Sequence, residues 1–162
     1  MKPCILVMGI CGTGKTTIGR MLSEQLDIPF IEGDDFHPTS NVEKMKNGQP
    51  LNDEDRQPWL EALALELKKN EESGCVLSCS ALKEKYRITL NSFLEKKIVI
   101  IHLVGNPDLI RERMLARQNH FMPSGMIASQ LADLEVSEEA STFNISNEPI
   151  FIVNEILSQV VR

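Results

Sequence analysis

The chain has 162 residues, 42% of them hydrophobic, with 17 Lys and Arg against 23 Asp and Glu, for a formal charge of -6. That length and apolar content suit a single domain spanning 1–162, closing one core without a separate regulatory module. The acidic balance argues against a general affinity for nucleic acid or anionic membrane, so any anion the protein holds must be held by a local site.

The N-terminal MKPCILVMGICGTGK is too short an apolar run for a leader and enters a glycine motif directly, and no later run approaches membrane-spanning length, so the expected location is the cytoplasm. Pro3 to Met8 reads as a buried strand. Ile18, Met21, Leu22 and Leu26 recur at helical spacing, so Lys15 to Leu26 is expected as a helix. A second strand, Pro29 to Gly33, runs into Asp34 and Asp35. The segment from His37 to Asp55, broken by Pro38, Gly48 and Pro50, is expected to lie over the surface as loop.

Asn52 or Asp53 can cap the next helix, in which Pro58 is tolerated near the first turn and Leu60, Leu63 and Leu67 continue the apolar stripe. Cys75 to Cys79 is a third strand, Lys83 to Leu94 a helix, and Ile98 to Val104 a fourth strand apolar enough for the middle of a parallel sheet. Pro107 opens a helix carrying Arg111, Arg113 and Arg117. After a break at 118–125, Met126 to Leu134 resumes the pattern, Thr142 to Ser146 is a last strand, and Pro149 opens a terminal helix to Val161. Strands alternating with helices define an α/β fold, a parallel five-stranded sheet flanked by helices in three layers, with ligands beyond the carboxyl ends of the strands.

Cys4, Cys11, Cys75 and Cys79 lie on or beside these strands without paired C-x-x-C spacing, so they read as reduced, mostly buried thiols and not as a zinc site. Cys11 is the exception, because phosphate-binding amides around it are expected to lower its thiol pKa.

Gly9-Ile10-Cys11-Gly12-Thr13-Gly14-Lys15-Thr16 fits the pattern G-x-x-x-x-G-K-[ST] without a gap, between an expected strand and an expected helix. The glycines let amide N–H groups turn inward, and the helix start adds partial positive charge, so a polyphosphate is held largely by main chain. Residues Gly9 to Thr16, with Thr17, are therefore the expected ATP contacts. Lys15 is placed on the β- and γ-phosphates, and the Thr16 hydroxyl on Mg²⁺. No N-K-x-D motif points to guanine, and the chain is short for a motor. The loop alone leaves a kinase, a hydrolase and a nucleotide switch open.

The second strand continues as Glu32-Gly33-Asp34-Asp35-Phe36-His37-Pro38, followed by Pro50-Leu51-Asn52-Asp53, Asp55-Arg56 and Pro58-Trp59-Leu60. The third continues as Cys79-Ser80-Ala81-Leu82-Lys83 and then Tyr86-Arg87, with Arg113, Arg117, His120-Phe121 and Ser129-Gln130 further on. These segments closely resemble the gluconokinase family of small, shikimate-kinase-like P-loop kinases, over most of the chain to about residue 135. The resemblance implies transfer of the ATP γ-phosphate to the 6-hydroxyl of D-gluconate, and it implies acceptor contacts from Ser80, His120 and Gln130. A kinase of shikimate, adenylylsulfate or a nucleoside monophosphate is the alternative within the class. A nucleotide-binding switch without acceptor is the alternative outside it. A homodimer is compatible with this reading and not required by it.

A polyhydroxy carboxylate needs cations for its carboxylate and hydrogen-bonding partners for its hydroxyls, and Asp34, His37, Lys44 and Arg56 supply both kinds. Arg56 and Arg87 can each grip a carboxylate through two N–H groups. Arg113 and Arg117 share a helix face leading into a lid over 113–125, where a closing arginine would stabilise charge on the moving phosphoryl group. Asp34 is expected as the base that accepts the acceptor's proton, and Glu32, two residues back on the same strand face, as a partner of Mg²⁺ through water.

Overall fold

The computed structural model describes residues 2–116 and 125–160. Five parallel strands, β1 (Cys4–Met8), β2 (Phe30–Glu32), β3 (Cys75–Ser78), β4 (Val99–Val104) and β5 (Ser141–Asn144), form one sheet in the order β2-β3-β1-β4-β5. The helices between them are α1 (Lys15–Leu26), α2 (Thr39–Lys46), α3 (Asp53–Lys69), α4 (Glu84–Asn91), α5 (Pro107–Ala116) and α6 (Gly125–Asp133), and α7 (Pro149–Gln159) follows β5.

Alternation along β1 divides the core. Ile5 and Val7 face one side, where Ile18 and Leu22 of α1 and Ile152, Val153 and Ile156 of α7 cover them. Leu6 and Met8 face the other, under Trp59, Leu60, Leu63 and Leu67 of α3 and Leu90 of α4. The three layers and the parallel sheet are those expected from the sequence. Central strands buried on both faces read as continuous apolar runs, which is why β1, β3 and β4 were legible. The chain crosses from the β2 side to the β4 side around β1, so the crevice at the carboxyl end of β1 is where a ligand belongs.

Three local expectations need correction. The segment 37–55 is not all loop: Thr39–Lys46 is a helix, started by Pro38 just before its first turn and anchored by the buried Asn41. Strand β2 stops at Glu32, and Gly33–Phe36 forms a 3-10 turn. Pro58 is the sixth residue of α3, beyond its first turn, so α3 lacks the bond that an N–H there would donate to the carbonyl of Glu54. The start of α3 compensates with a capping box, in which Asn52 Oδ1 accepts from Asp55 N at 2.8 Å and Asp55 Oδ2 accepts from Asn52 N at 3.0 Å.

Candidate active site

The glycine loop sits between β1 and α1 as the motif requires. Gly14, at φ 88°, takes a left-handed conformation that suits glycine, and no side chain among the described residues caps α1, so its first amides face outward for a ligand. Lys15 Nζ donates to Ile10 O at 2.9 Å, and Thr13 Oγ1 donates to the same carbonyl at 2.9 Å. Burial lowers the Lys15 pKa, while the nearby charges of Asp34 and Glu32 act to raise it.

Thr16 Oγ1 donates to Glu32 Oε2 at 2.6 Å, joining the start of α1 to the end of β2. Because β2 ends at Glu32, strand alternation does not relate Glu32 to Asp34, and the shared face expected from spacing is replaced by the geometry of the 3-10 turn. Asp34 nevertheless lies where its charge acts on both Lys15 and His37. Gly33 makes the turn possible, since a Cβ there would stand 2.5 Å from Ser78 O on β3. Its carbonyl accepts from Trp59 Nε1 at 2.7 Å, so the core tryptophan of α3 pins the turn.

His37 stacks on Trp59, with ring centroids 4.1 Å apart and planes 15° from parallel. Burial lowers its pKa, Asp34 opposes that shift and Arg56 adds to it, so the imidazole is neutral near pH 7. Asn41 links His37 to the backbone of Asp55, at 3.2 Å from His37 Nδ1 and 2.8 Å from Asp55 O. Lys44 is already engaged, with Nζ 2.9 Å from both carboxylate oxygens of Asp55. Its ammonium keeps capacity for one further acceptor.

The two acceptor arginines differ in their surroundings. Arg56 is half-buried; Nη1 donates to Tyr86 Oη at 3.1 Å, and its guanidinium carbon lies 5.4 Å from the Tyr86 ring centroid. Tyr86 Oη in turn donates to Asp53, which also pairs with Lys83 and Lys85. Hydrogen bonds from Lys85 and Tyr86 hold the Asp53 carboxyl well below the usual range, and burial, with the Asp53 contact, pushes the Tyr86 phenol up to about 12.

Arg87, by contrast, is buried and donates to Ala81 O at 2.8 Å, Leu82 O at 3.2 Å and Glu135 O at 2.8 Å. Ala81 adopts φ 44°, a costly conformation for alanine, and Arg87 holds the carbonyls of that turn in place. The expected carboxylate grip of Arg87 therefore gives way to support of the loop that carries half-buried Ser80.

On the other side of the glycine loop is a cavity of about 120 Å³, lined by Gly12, Thr13, Gly14 and Thr17, by Arg113 of α5, and by Ile145, Asn147 and Pro149 after β5. Arg113 Nη2 donates to Ile145 O at 2.8 Å. The structure thus places Arg113 beside this cavity, next to the glycine loop. Gln130, expected at the acceptor, has its Oε1 accepting from Cys11 N at 2.6 Å, against the glycine loop. Arg117 and His120, with most of the expected lid, fall outside the described residues.

Cys11 packs against Met114, with Sγ 3.8 Å from Sδ, and burial raises its thiol pKa despite the pull of Lys15, which reverses the sequence expectation. All four cysteines are free and buried. Sequence reasoning missed Asn41, the Tyr86–Asp53 link and the whole contribution of 145–149. Of these, only Asn41 left a local signal, a polar residue four positions after His37 at helical spacing.

A glycine loop opening α1 at the end of a central parallel strand, with a threonine–carboxylate pair and a lysine beside it, defines the P-loop kinase class. The shikimate kinase family model matches residues 11–158. A shikimate kinase structure from Bacteroides thetaiotaomicron shares the fold, with a TM-score of 0.70 at 17% identity over 100% of both chains. Within that class the chain belongs to the gluconokinase family. It is 44% identical to a probable gluconokinase of Schizosaccharomyces pombe, over 91% of this chain and 81% of that one. It is 40% identical to the gluconokinase of Arabidopsis thaliana, over 98% and 92%. A crystal structure of a gluconokinase from Sinorhizobium meliloti superposes with a TM-score of 0.88 at 38% identity, covering 97% of this chain and 90% of that one.

Proposed function

We propose that this enzyme transfers the γ-phosphate of ATP to the 6-hydroxyl of D-gluconate in the cytoplasm, giving 6-phospho-D-gluconate and ADP. The observation that carries the reading is a set of side chains whose charges act on one another from the glycine loop to α3. The charge of Asp34 acts on Lys15 and on His37, the charge of Arg56 acts on His37, and Arg56 donates to Tyr86 Oη. A set with a phosphate-binding cation at one end and a guanidinium at the other fits an acceptor with a reactive hydroxyl and a distant carboxylate.

In this reading the phosphates lie on the loop amides and Lys15, and the nucleoside enters the cavity beside Arg113 and Asn147. Among the described residues no cluster of three or more His, Cys, Asp or Glu forms a metal cage. The Thr16–Glu32 pair suits Mg²⁺, which takes few protein ligands and keeps water and phosphate oxygens. Thr16 and Glu32 would hold the ion, which would supply charge neutralisation at the phosphates. Asp34 orients the acceptor hydroxyl and takes its proton as the new P–O bond forms and the bond to the β-phosphate oxygen breaks. Arg56 binds the carboxylate in both ground and transition states, so it sets affinity more than turnover.

The test is ADP release with Mg²⁺-ATP against gluconate, glucose, sorbitol and shikimate, with product identification. Gluconate is expected to exceed glucose and sorbitol by about 30-fold or more in kcat/KM, because losing a charge-assisted contact between Arg56 and the acceptor carboxylate costs on the order of 2 kcal/mol or more. Comparable use of glucose would overturn the role of Arg56, and preference for shikimate would overturn the substrate. Among the described residues no helix is long and apolar enough to cross a membrane.

A further inference from the structure

His37 and Asn41 meet in a way that determines where a proton sits. Asn41 is 2% exposed, and its side-chain nitrogen Nδ2 lies 2.8 Å from Asp55 O and 3.2 Å from His37 Nδ1. A backbone carbonyl only accepts hydrogen bonds, so the atom of Asn41 that faces Asp55 O must be its NH₂ group and not its oxygen. One N–H of that group goes to the carbonyl, leaving the other for the histidine. An N–H directed at Nδ1 needs a lone pair there, so the ring proton must be on Nε2.

The ring has little freedom to escape this arrangement. Trp59 stacks on it at 4.1 Å, and Trp59 is itself tied by Nε1 to Gly33 O at 2.7 Å. The charged groups that act on the ring are Asp34 of the 3-10 turn and Arg56 of α3. Burial and Arg56 together keep the ring neutral, which preserves a single proton to be positioned.

The geometry points to Asn41 as the residue that selects the tautomer of His37, so that His37 meets the acceptor as a hydrogen-bond donor through Nε2–H. A donor there engages an oxygen lone pair of the acceptor and does not compete with Asp34 for the hydroxyl proton. Asn41 is a positioning residue, acting on the substrate only through His37. The contact of His37 with the acceptor rests on the proposed function; the tautomer does not.

The direct test reads the tautomer in the wild-type protein. In ¹⁵N-labelled wild-type protein at pH 7.5, with His37 assigned by comparison with His37→Gln, two-bond ¹⁵N–¹H correlations are expected to show a protonated Nε2 and an unprotonated Nδ1. A protonated Nδ1, or fast averaging between tautomers, would overturn the inference.

Kinetics then separate it from the reading it rests on. His37→Gln keeps an N–H near the Nε2 position, whereas His37→Asn places its N–H near Nδ1. KM for gluconate is expected to rise about tenfold in His37→Asn and less in His37→Gln, with KM for ATP unchanged in both. An Nε2–H tautomer together with an unchanged gluconate KM in His37→Asn would support the tautomer and overturn the placement of His37 at the acceptor. Asn41→Ala is expected to return His37 to a mixture of tautomers, and a single unchanged Nε2–H species in that variant would overturn the role of Asn41.

Discussion

The hydroxyl of Thr16 lies 2.6 Å from the carboxylate of Glu32, so the last residue of the phosphate motif and the last residue of β2 make a single unit. If this pair serves Mg²⁺, its two members must fail together. Glu32→Gln is expected to raise the Mg²⁺ concentration for half-maximal rate by about tenfold or more at fixed ATP, with turnover largely recovered at saturating metal. A titration curve that superposes on wild type would remove Glu32 from the metal site.

The 3-10 turn presents both Asp34 and Asp35 at the surface, so the base is decided by neighbours and not by strand parity. Asp34 is the one whose charge reaches Lys15 and His37. Asp34→Asn keeps size and hydrogen bonding while losing proton acceptance, and kcat is expected to fall by about 10² to 10⁴ with ATP affinity retained. Asp35→Asn should stay within a few-fold of wild type; the reverse pattern would move the base one residue along.

Arg113 faces the cavity beside the glycine loop and holds the carbonyl of Ile145. In the reading proposed above Arg113 meets the nucleotide before any phosphoryl motion, so Arg113→Ala is expected to raise KM for ATP about tenfold and to lower kcat less. A loss confined to kcat would instead assign Arg113 to the transition state.

Tyr86 contributes no group to the acceptor in this reading, yet it sits between Arg56 and Asp53. Tyr86→Phe is expected to raise KM for gluconate by about three- to tenfold without changing KM for ATP, by freeing the Arg56 guanidinium. The same substitution made in an Arg56→Ala background should add nothing further, because both act through one contact. Additive effects in that double variant would give Tyr86 a role of its own.

His102 is buried on β4, and among the described residues its Nδ1 has no hydrogen-bond partner. Burial first, and then the charge of Arg87, lower its pKa from the ordinary 6.5. The unfolded chain therefore takes up this proton at a higher pH than the folded one, and the contribution to stability is present above about 6.5 and lost as pH falls through the folded value. His37, also lowered, acts in the same direction. His102→Leu is expected to narrow the drop in urea midpoint between pH 7.5 and pH 5.5 without abolishing it. An unchanged drop would mean that the pKa of His102 does not differ between the folded and unfolded states.

What was legible in the sequence is what the chain writes contiguously. The glycine loop needs eight adjacent residues, Gly9 to Thr16, and the apolar runs of β1, β3 and β4 need only burial on both faces, so local pattern and structure agree. Helix α2 was not legible, because its eight residues bury only Asn41 and carry no apolar stripe; a buried amide between His37 and Asp55 holds it down.

The end of β2 was also decided elsewhere, by the close approach of Gly33 to Ser78 and by the indole of Trp59. The same holds for the arginines, which look alike in sequence. Arg56 meets a phenol, Arg87 meets three carbonyls and Arg113 meets the loop after β5, each partner at least five residues away along the chain and the farthest, Glu135 of Arg87, 48 away. A guanidinium binds whichever acceptor the fold brings to it, so residue type announced cationic chemistry and only tertiary packing determined which cation was left to face a substrate.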